Sequence, residues 1–270
     1  MKKLLPDLFY TVYNYRYLTL QMIKREIANR YRGSVFSFAW SVINPLLMLA
    51  VYTFVFSVVF QARWQTGENE SRIDFAITLF AGLIIFNLFA EVVNKSPSLI
   101  LTNVNLVKKV VFPLEILPLV SIGAVGFQSL VSLMVLLTTM IIFKSYVPWT
   151  IVYLPLILIP LLLLSLGISW FLAAITVYVR DVAHVTSIFT TILLFTSAIF
   201  YPISRLPENY QTIIMLNPLA ILIQEGRQVL IFGQPPDWGL LGIMLMVGLF
   251  IATGGYVWFK KARKGFADVL

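Results

Sequence analysis

The chain contains no cysteine and one histidine, and only 12% of its residues are charged, against about 25% in a soluble domain. The lack of cysteine excludes disulfides and thiolate metal sites. His184 stands beside a short charged turn and reads as a polar cap rather than a ligand or proton relay. There is no G-x-x-x-x-G-K-[ST] phosphate loop, so ATP is not bound by that route. H-E-x-x-H, paired carboxylates and a nucleophile elbow are also missing, which removes the familiar hydrolytic chemistries. The expectation is a chain with no catalytic residue, metal or cofactor of its own.

Apolar length is abundant. Six stretches of 16 to 35 residues lack Asp, Glu, Lys and Arg: Gly33–Ala62, Phe75–Ala90, Ile116–Phe143, Ser145–Val179, Val182–Ser204 and Trp238–Phe259. About 20 apolar residues cross a bilayer core. The stretches are uniformly apolar, whereas barrel strands alternate. The expected fold is therefore all-α and integral to the membrane, with six transmembrane helices in one domain. Residues 1–32 form a cytoplasmic amphipathic segment, 33–259 the core and 260–270 a basic tail. Met1-Lys2-Lys3 looks like a signal n-region, but Pro6, Asp7, Asn14 and Arg16 leave no continuous apolar run after it, so no cleavage is expected.

The net charge of +8 would suit nucleic acid, but its distribution argues for topology instead. With six spans, fifteen of the twenty Lys and Arg residues fall on the side holding both termini. That bias places both termini in the cytoplasm and leaves no case for nucleic-acid binding. The spans carry no ionisable group in their cores, whereas proton- or sodium-coupled transporters usually need one.

Ahead of the first span, Leu20, Ile23, Ile27 and Tyr31 share one helical stripe, with Gln21, Arg25, Asn29 and Arg32 opposite. Such a helix lies in the cytoplasmic interface. The first span, about 35–60, is interrupted by Asn44-Pro45, where proline removes a backbone bond. Trp40, Asn44, Tyr52, Phe56 and Phe60 belong to a four-residue recurrence along it. The row reads either as packing or as a surface for sugar contact; a straight helix drifts by about 40° per such step, so only local pairs share a face.

Glu91 to Pro113 is too polar to span and too apolar for a free loop, which predicts a short amphipathic cytoplasmic helix. Val179-Arg180-Asp181 is a second cytoplasmic turn. Between Tyr201 and Asp237, Asn217-Pro218 splits an apolar run and Glu225 and Arg227 come soon after. A seventh span would be too short, and it would carry the basic C-terminus outside. Two short re-entrant or interfacial helices on the outer face are expected, forming a candidate gate.

These pieces, in order, resemble the transmembrane permease subunits of ABC exporters for bacterial surface polysaccharides. The match runs through Arg30-Tyr31-Arg32-Gly33-Ser34 with Trp40 and Asn44-Pro45-Leu46, and Phe80-Ala81-Gly82-Leu83. It continues through Leu106-Val107-Lys108-Lys109 with Phe112-Pro113, Val179-Arg180-Asp181, Tyr201-Pro202, and Asn217-Pro218 with Glu225-Gly226-Arg227. The Arg-Tyr-Arg-Gly-Ser start is more similar to O-antigen exporters than to capsule exporters. The family often has an aromatic residue just before the arginine, where this chain has Gly226.

The resemblance implies a multi-pass protein of the bacterial inner membrane that works with a second copy of itself and two ATP-binding subunits, which hold ATP and Mg. The cargo would be a lipid-linked glycan. Channel-lining candidates are Trp40, Asn44, Tyr52, Phe56, Phe60, Asn87 and Tyr201, on the expectation that the first, second and fifth spans line the path. ATPase-coupling candidates are Lys95, Asn103, Lys108, Lys109, Arg180 and Asp181. Periplasmic gate candidates are Pro202, Asn217, Pro218, Glu225 and Arg227. Three other classes stand beside this reading. One is an ABC permease for another lipid or drug. Another is an ATP-independent flippase, which intramembrane charges within an internal repeat would mark. The third is a polyprenyl-sugar enzyme, which would need clustered carboxylates or a metal site.

Overall fold

The computed structural model describes residues 13–31, 39–55, 64, 72–108 and 112–270. Among these residues there are helices and no strands. In chain order the α-helices are α1 (Arg16–Tyr31), α2 (Trp40–Tyr52), α3 (Arg72–Lys95), α4 (Ser98–Leu101), α5 (Val104–Lys108) and α6 (Leu117–Lys144). They continue as α7 (Leu154–Tyr178), α8 (Val182–Thr196), α9 (Glu208–Met215), α10 (Pro218–Arg227), α11 (Trp238–Ala262) and α12 (Phe266–Val269).

Four helical stretches are long and apolar enough to cross a membrane: Ile73–Lys95, Leu114–Lys144, Trp149–Tyr178 and Trp238–Val269. Two more, Trp40–Val55 and Val182–Thr196, are apolar but shorter. They fall at the expected first and fifth spans; residues 32–38 and 56–63, which flank the former, lie outside the described set.

Local chemistry sets the boundaries. Pro118, Pro155 and Pro218 sit in the first turns of α6, α7 and α10, where a missing N–H costs no helical bond. Ser145 closes α6 in a left-handed conformation, and the Asp237 carboxylate caps α11 by accepting from Gly239 and Leu240. Hydroxyls inside the apolar helices bond back one turn, as Thr139 does to the Val135 carbonyl and Ser165 to that of Leu161. A hydroxyl with no water in reach is satisfied this way.

α3 is the central helix: 89% of its apolar window is buried inside the protein, against 22% for α11. Around it pack α2, α6, α7, α8 and α10. α7 and α11 make the closest pair, because Gly167 and Gly255 let their backbones touch. A Cβ on Gly255 would collide with the Gly167 carbonyl, the close approach that small residues permit in membranes.

Side-chain ties fix which helix ends share a level. Lys144 pairs with Asp74 at 2.8 Å, joining the end of α6 to the start of α3. At the opposite end, Arg263 holds both Glu115 oxygens at 2.6 and 2.8 Å and donates to the Phe112 carbonyl. There too the Tyr178 hydroxyl reaches the Ala262 carbonyl, joining the ends of α7 and α11. Exposed aromatics Tyr146, Trp149 and Trp238 cluster at the Asp74 end, as interfacial aromatics do.

The structure corrects one expectation. Residues 91–95 continue α3, and after them come two short helices, α4 and α5, instead of one. Pro97 comes directly after Lys95-Ser96, and the Ser96 hydroxyl turns inward to Val92 and Ser169, both at 2.6 Å. That buried contact stops α3 and redirects the chain.

Candidate functional site

An open cleft of about 500 Å³ lies among α1, α2, α3 and α6. Its walls carry the amides of Asn44, Asn87, Asn94 and Gln128 and the hydroxyls of Ser129 and Ser132, between apolar Met48, Phe80 and Ile84. Asn87, Glu91 and Asn94 share a helical face because they recur at four and three residues. The Thr190 hydroxyl of α8 donates to Asn94 at 3.0 Å, and Gln128 donates to the Ser41 carbonyl at 2.9 Å. Asn87 lies about 20 Å along α3 from Asp74, well within the depth of a bilayer core. This is a polar wall at membrane depth, offering several neutral hydrogen-bonding groups.

The cleft narrows into charge at the end away from Asp74. Arg30 of α1 meets Glu91 at 2.7 Å, and Lys95 lies 3.4 Å from Glu91 and 3.9 Å from Glu26. Two cations face two carboxylates, so the mouth is locally balanced. The pairs also clip α1 onto the last turns of α3.

A second cluster sits near the Asp74 end. Arg227, the last residue of α10, is 1% exposed. Its guanidinium donates to the carbonyls of Thr78, Ala198 and Ile199 at 3.1, 2.8 and 2.7 Å, and lies 4.2 Å above the Trp64 ring. Gly82 makes the space: a Cβ there would come within 2.7 Å of the guanidinium carbon. Ala198 holds a left-handed φ of 51°, unusual for a residue with a Cβ. At the other end of α10, Asn217 accepts from the Leu219 amide at 3.0 Å and donates to the Ser197 hydroxyl at 2.9 Å. Glu225, also buried, accepts from the Asp237 amide at 2.8 Å. α10 is thus pinned to α3, to the turn after α8 and to the start of α11.

Of the channel candidates, Asn44 and Asn87 come together in the cleft. Trp40 is exposed at the start of α2, and Tyr52 is half-buried against the core. Tyr201 lies elsewhere, its hydroxyl on the Phe195 carbonyl at 2.8 Å. Phe56, Phe60 and Lys109 lie outside the described residues. Among the coupling candidates, Lys95 joins the cleft mouth, and Asn103 donates to Leu99 and to the Thr102 hydroxyl. Lys108 donates to the Leu270 carbonyl, while Arg180 and Asp181 are exposed in the turn between α7 and α8. The gate candidates Asn217, Pro218, Glu225 and Arg227 all belong to α10 and its cap, with Pro202 buried nearby in sequence. Sequence reasoning passed over Gln128, Ser129, Ser132 and Thr190 and did not treat Asn94 as lining. The polar face of α3 at residues 87, 91 and 94 was the signal that could have found them.

A bundle of apolar helices around a polar cleft, with the short buried helix α10 before its last span, defines a polytopic membrane transport protein. The chain belongs to the ABC-2 type transporter family, whose model matches residues 17–231. It is 27% identical over 259 residues to an O-antigen export system permease protein RfbA of Myxococcus xanthus, covering 95% of this chain and 96% of that one. An RfbA of Klebsiella pneumoniae is 26% identical, over 96% of this chain and 98% of the relative. The polysialic acid transport protein KpsM of Escherichia coli is 24% identical, over 86% and 89% respectively. Membership makes this a membrane permease and implies an ABC ATPase as partner.

Proposed function

We propose that this chain is the permease subunit of an ATP-driven exporter carrying lipid-linked surface polysaccharide, of the O-antigen type, across the bacterial inner membrane. In this reading two copies pair in the membrane, each bound to one ATP-binding subunit that holds ATP and Mg. Six helices span, and both termini are cytoplasmic, which agrees with the distribution of basic residues. The O-antigen permeases that match along nearly the whole chain support the cargo.

The observation that carries the reading is the polar cleft at membrane depth. A hydrated sugar polymer needs many weak contacts along a continuous path, and a deep specific pocket would arrest it. Neutral amides and hydroxyls meet that need, since interhelical hydrogen bonds in membranes contribute only about 0.6–2 kcal/mol each. The turn at Arg180 and Asp181 and helices α4 and α5 form the face toward the ATPase. α10 closes the periplasmic end.

The test is export in cells lacking the native permease, with surface glycan and assembled complex measured together. Replacing Asn87 and Asn94 by Leu is expected to slow export roughly tenfold with assembly unchanged. Normal export by a normally assembled double variant overturns the cleft as the glycan path.

A further inference from the structure

A second cavity, of about 480 Å³, lies beside the polar cleft on the adjoining face of α3 and is roofed by α1. Its lining is aliphatic and aromatic, including Ile23 and Ile27 of α1 and Leu130 and Leu133 of α6. Ser129 is the one polar side chain in that lining among the described residues. Glycine creates the room: Gly126 has no atom within 4 Å of where its Cβ would stand, while Gly123 is overlain by Ile23. Water would find almost no partner here, and a dry void of this size opening toward lipid fills with hydrocarbon.

Two features identify the occupant. From Ile122 to Leu133 the lining runs along α6 for about 16 Å, roughly half the ~30 Å hydrocarbon core. On α6 that is about the length of one acyl chain, and Leu154, Leu158 and Leu230 carry the lining on toward the Asp74 end. The cavity begins under α1, at the end of the protein marked by Glu91, Lys95 and Arg263, where most of the described basic residues lie. Lys24 is exposed on α1, at the flank of the stripe that carries the lining residues Ile23 and Ile27. A cation beside an apolar slot at an interface suits a phosphate headgroup.

We infer that this cavity is a binding site for one inner-leaflet anionic phospholipid, its acyl chain beneath α1 and its phosphate against Lys24. The lipid fills the space between α1, α3, α6 and α7 and so cements the interfacial helix to the bundle. The site shares Ile84 and Ser129 with the polar cleft. Its occupancy therefore bears on the wall of that cleft without depending on what the cleft carries.

The test is native mass spectrometry of the full chain purified from membranes containing anionic and zwitterionic phospholipids. The wild-type chain is expected to retain one phospholipid, enriched in the anionic class. Gly126→Phe, which puts a ring into open space, is expected to reduce retention at least about tenfold. Lys24→Glu leaves the slot intact and is expected to cut the anionic preference by about tenfold. This exposed residue keeps the proposal testable if Gly126→Phe fails to fold. Equal retention by a folded Gly126→Phe chain overturns the proposal. So does an unchanged anionic share in the charge variant, or an isoprenoid in place of the phospholipid.

Discussion

Replacing Arg227 by Met tests how α10 is held. The side chain has similar length but no donors, so the Ala198 and Ile199 carbonyls lose their guanidinium partners in a buried turn. The Thr78 carbonyl is less affected because it lies within α3 and keeps its helical bond. Leaving a buried polar group unsatisfied costs about 1–3 kcal/mol, which gives roughly 2–6 kcal/mol for two carbonyls. Relief of the buried charge offsets part of this, so the lower half of the range is expected. Loss of the Trp64 contact and release of the left-handed Ala198 turn act at the same place. At about 2–4 °C per kcal/mol for a chain of this length, melting should fall by at least about 5 °C.

The assay is thermal unfolding of the detergent-purified permease, read out by size-exclusion chromatography. Gly82→Ala supplies the control, since its new methyl would displace the same guanidinium from the opposite side. If both changes break one contact, the double variant should melt close to the worse single variant and well short of their sum. Unchanged melting of Arg227→Met, or full additivity with Gly82→Ala, would refute the claim that this contact holds α10.

Other consequences are equally direct. Gly255→Leu should separate α7 from α11, because the new side chain meets the Gly167 backbone and no rotamer escapes it; overpacking of about 3 kcal/mol or more should appear as loss of monodisperse protein, and normal behaviour would refute the close seam. With its native ATPase partner present, cysteines at Arg180 and Trp149 should label from opposite faces of the membrane, and only the former should crosslink to the ATPase. Labelling of both from one face would refute the six-span orientation.

The physics of each feature decides how much of it was legible in the sequence. The break at Asn217-Pro218 and the apolar lengths of the long helices rest on local rules: proline geometry and hydropathy. Those features could be read along the chain, and the apolar lengths alone indicated a polytopic membrane protein. The family pieces could also be read in order, but their spatial relation could not. Gly82 and Arg227 are 145 positions apart in the sequence and meet only because α10 packs against α3.

Burial was invisible for a different reason. In water an apolar stripe marks the buried face, whereas in lipid both faces of a helix are apolar and composition carries no such contrast. α3 and α11 have nearly equal mean hydropathy, 2.2 and 2.1, yet one is almost wholly enclosed and the other faces outward. The sequence by itself determined that long apolar helices cross a membrane, because apolar length is a local property. Only the tertiary structure decided which helix is central, which amides of three different helices share one cleft, and that an arginine at the end of a short helix finds three carbonyls, because those outcomes depend on which faces pack together.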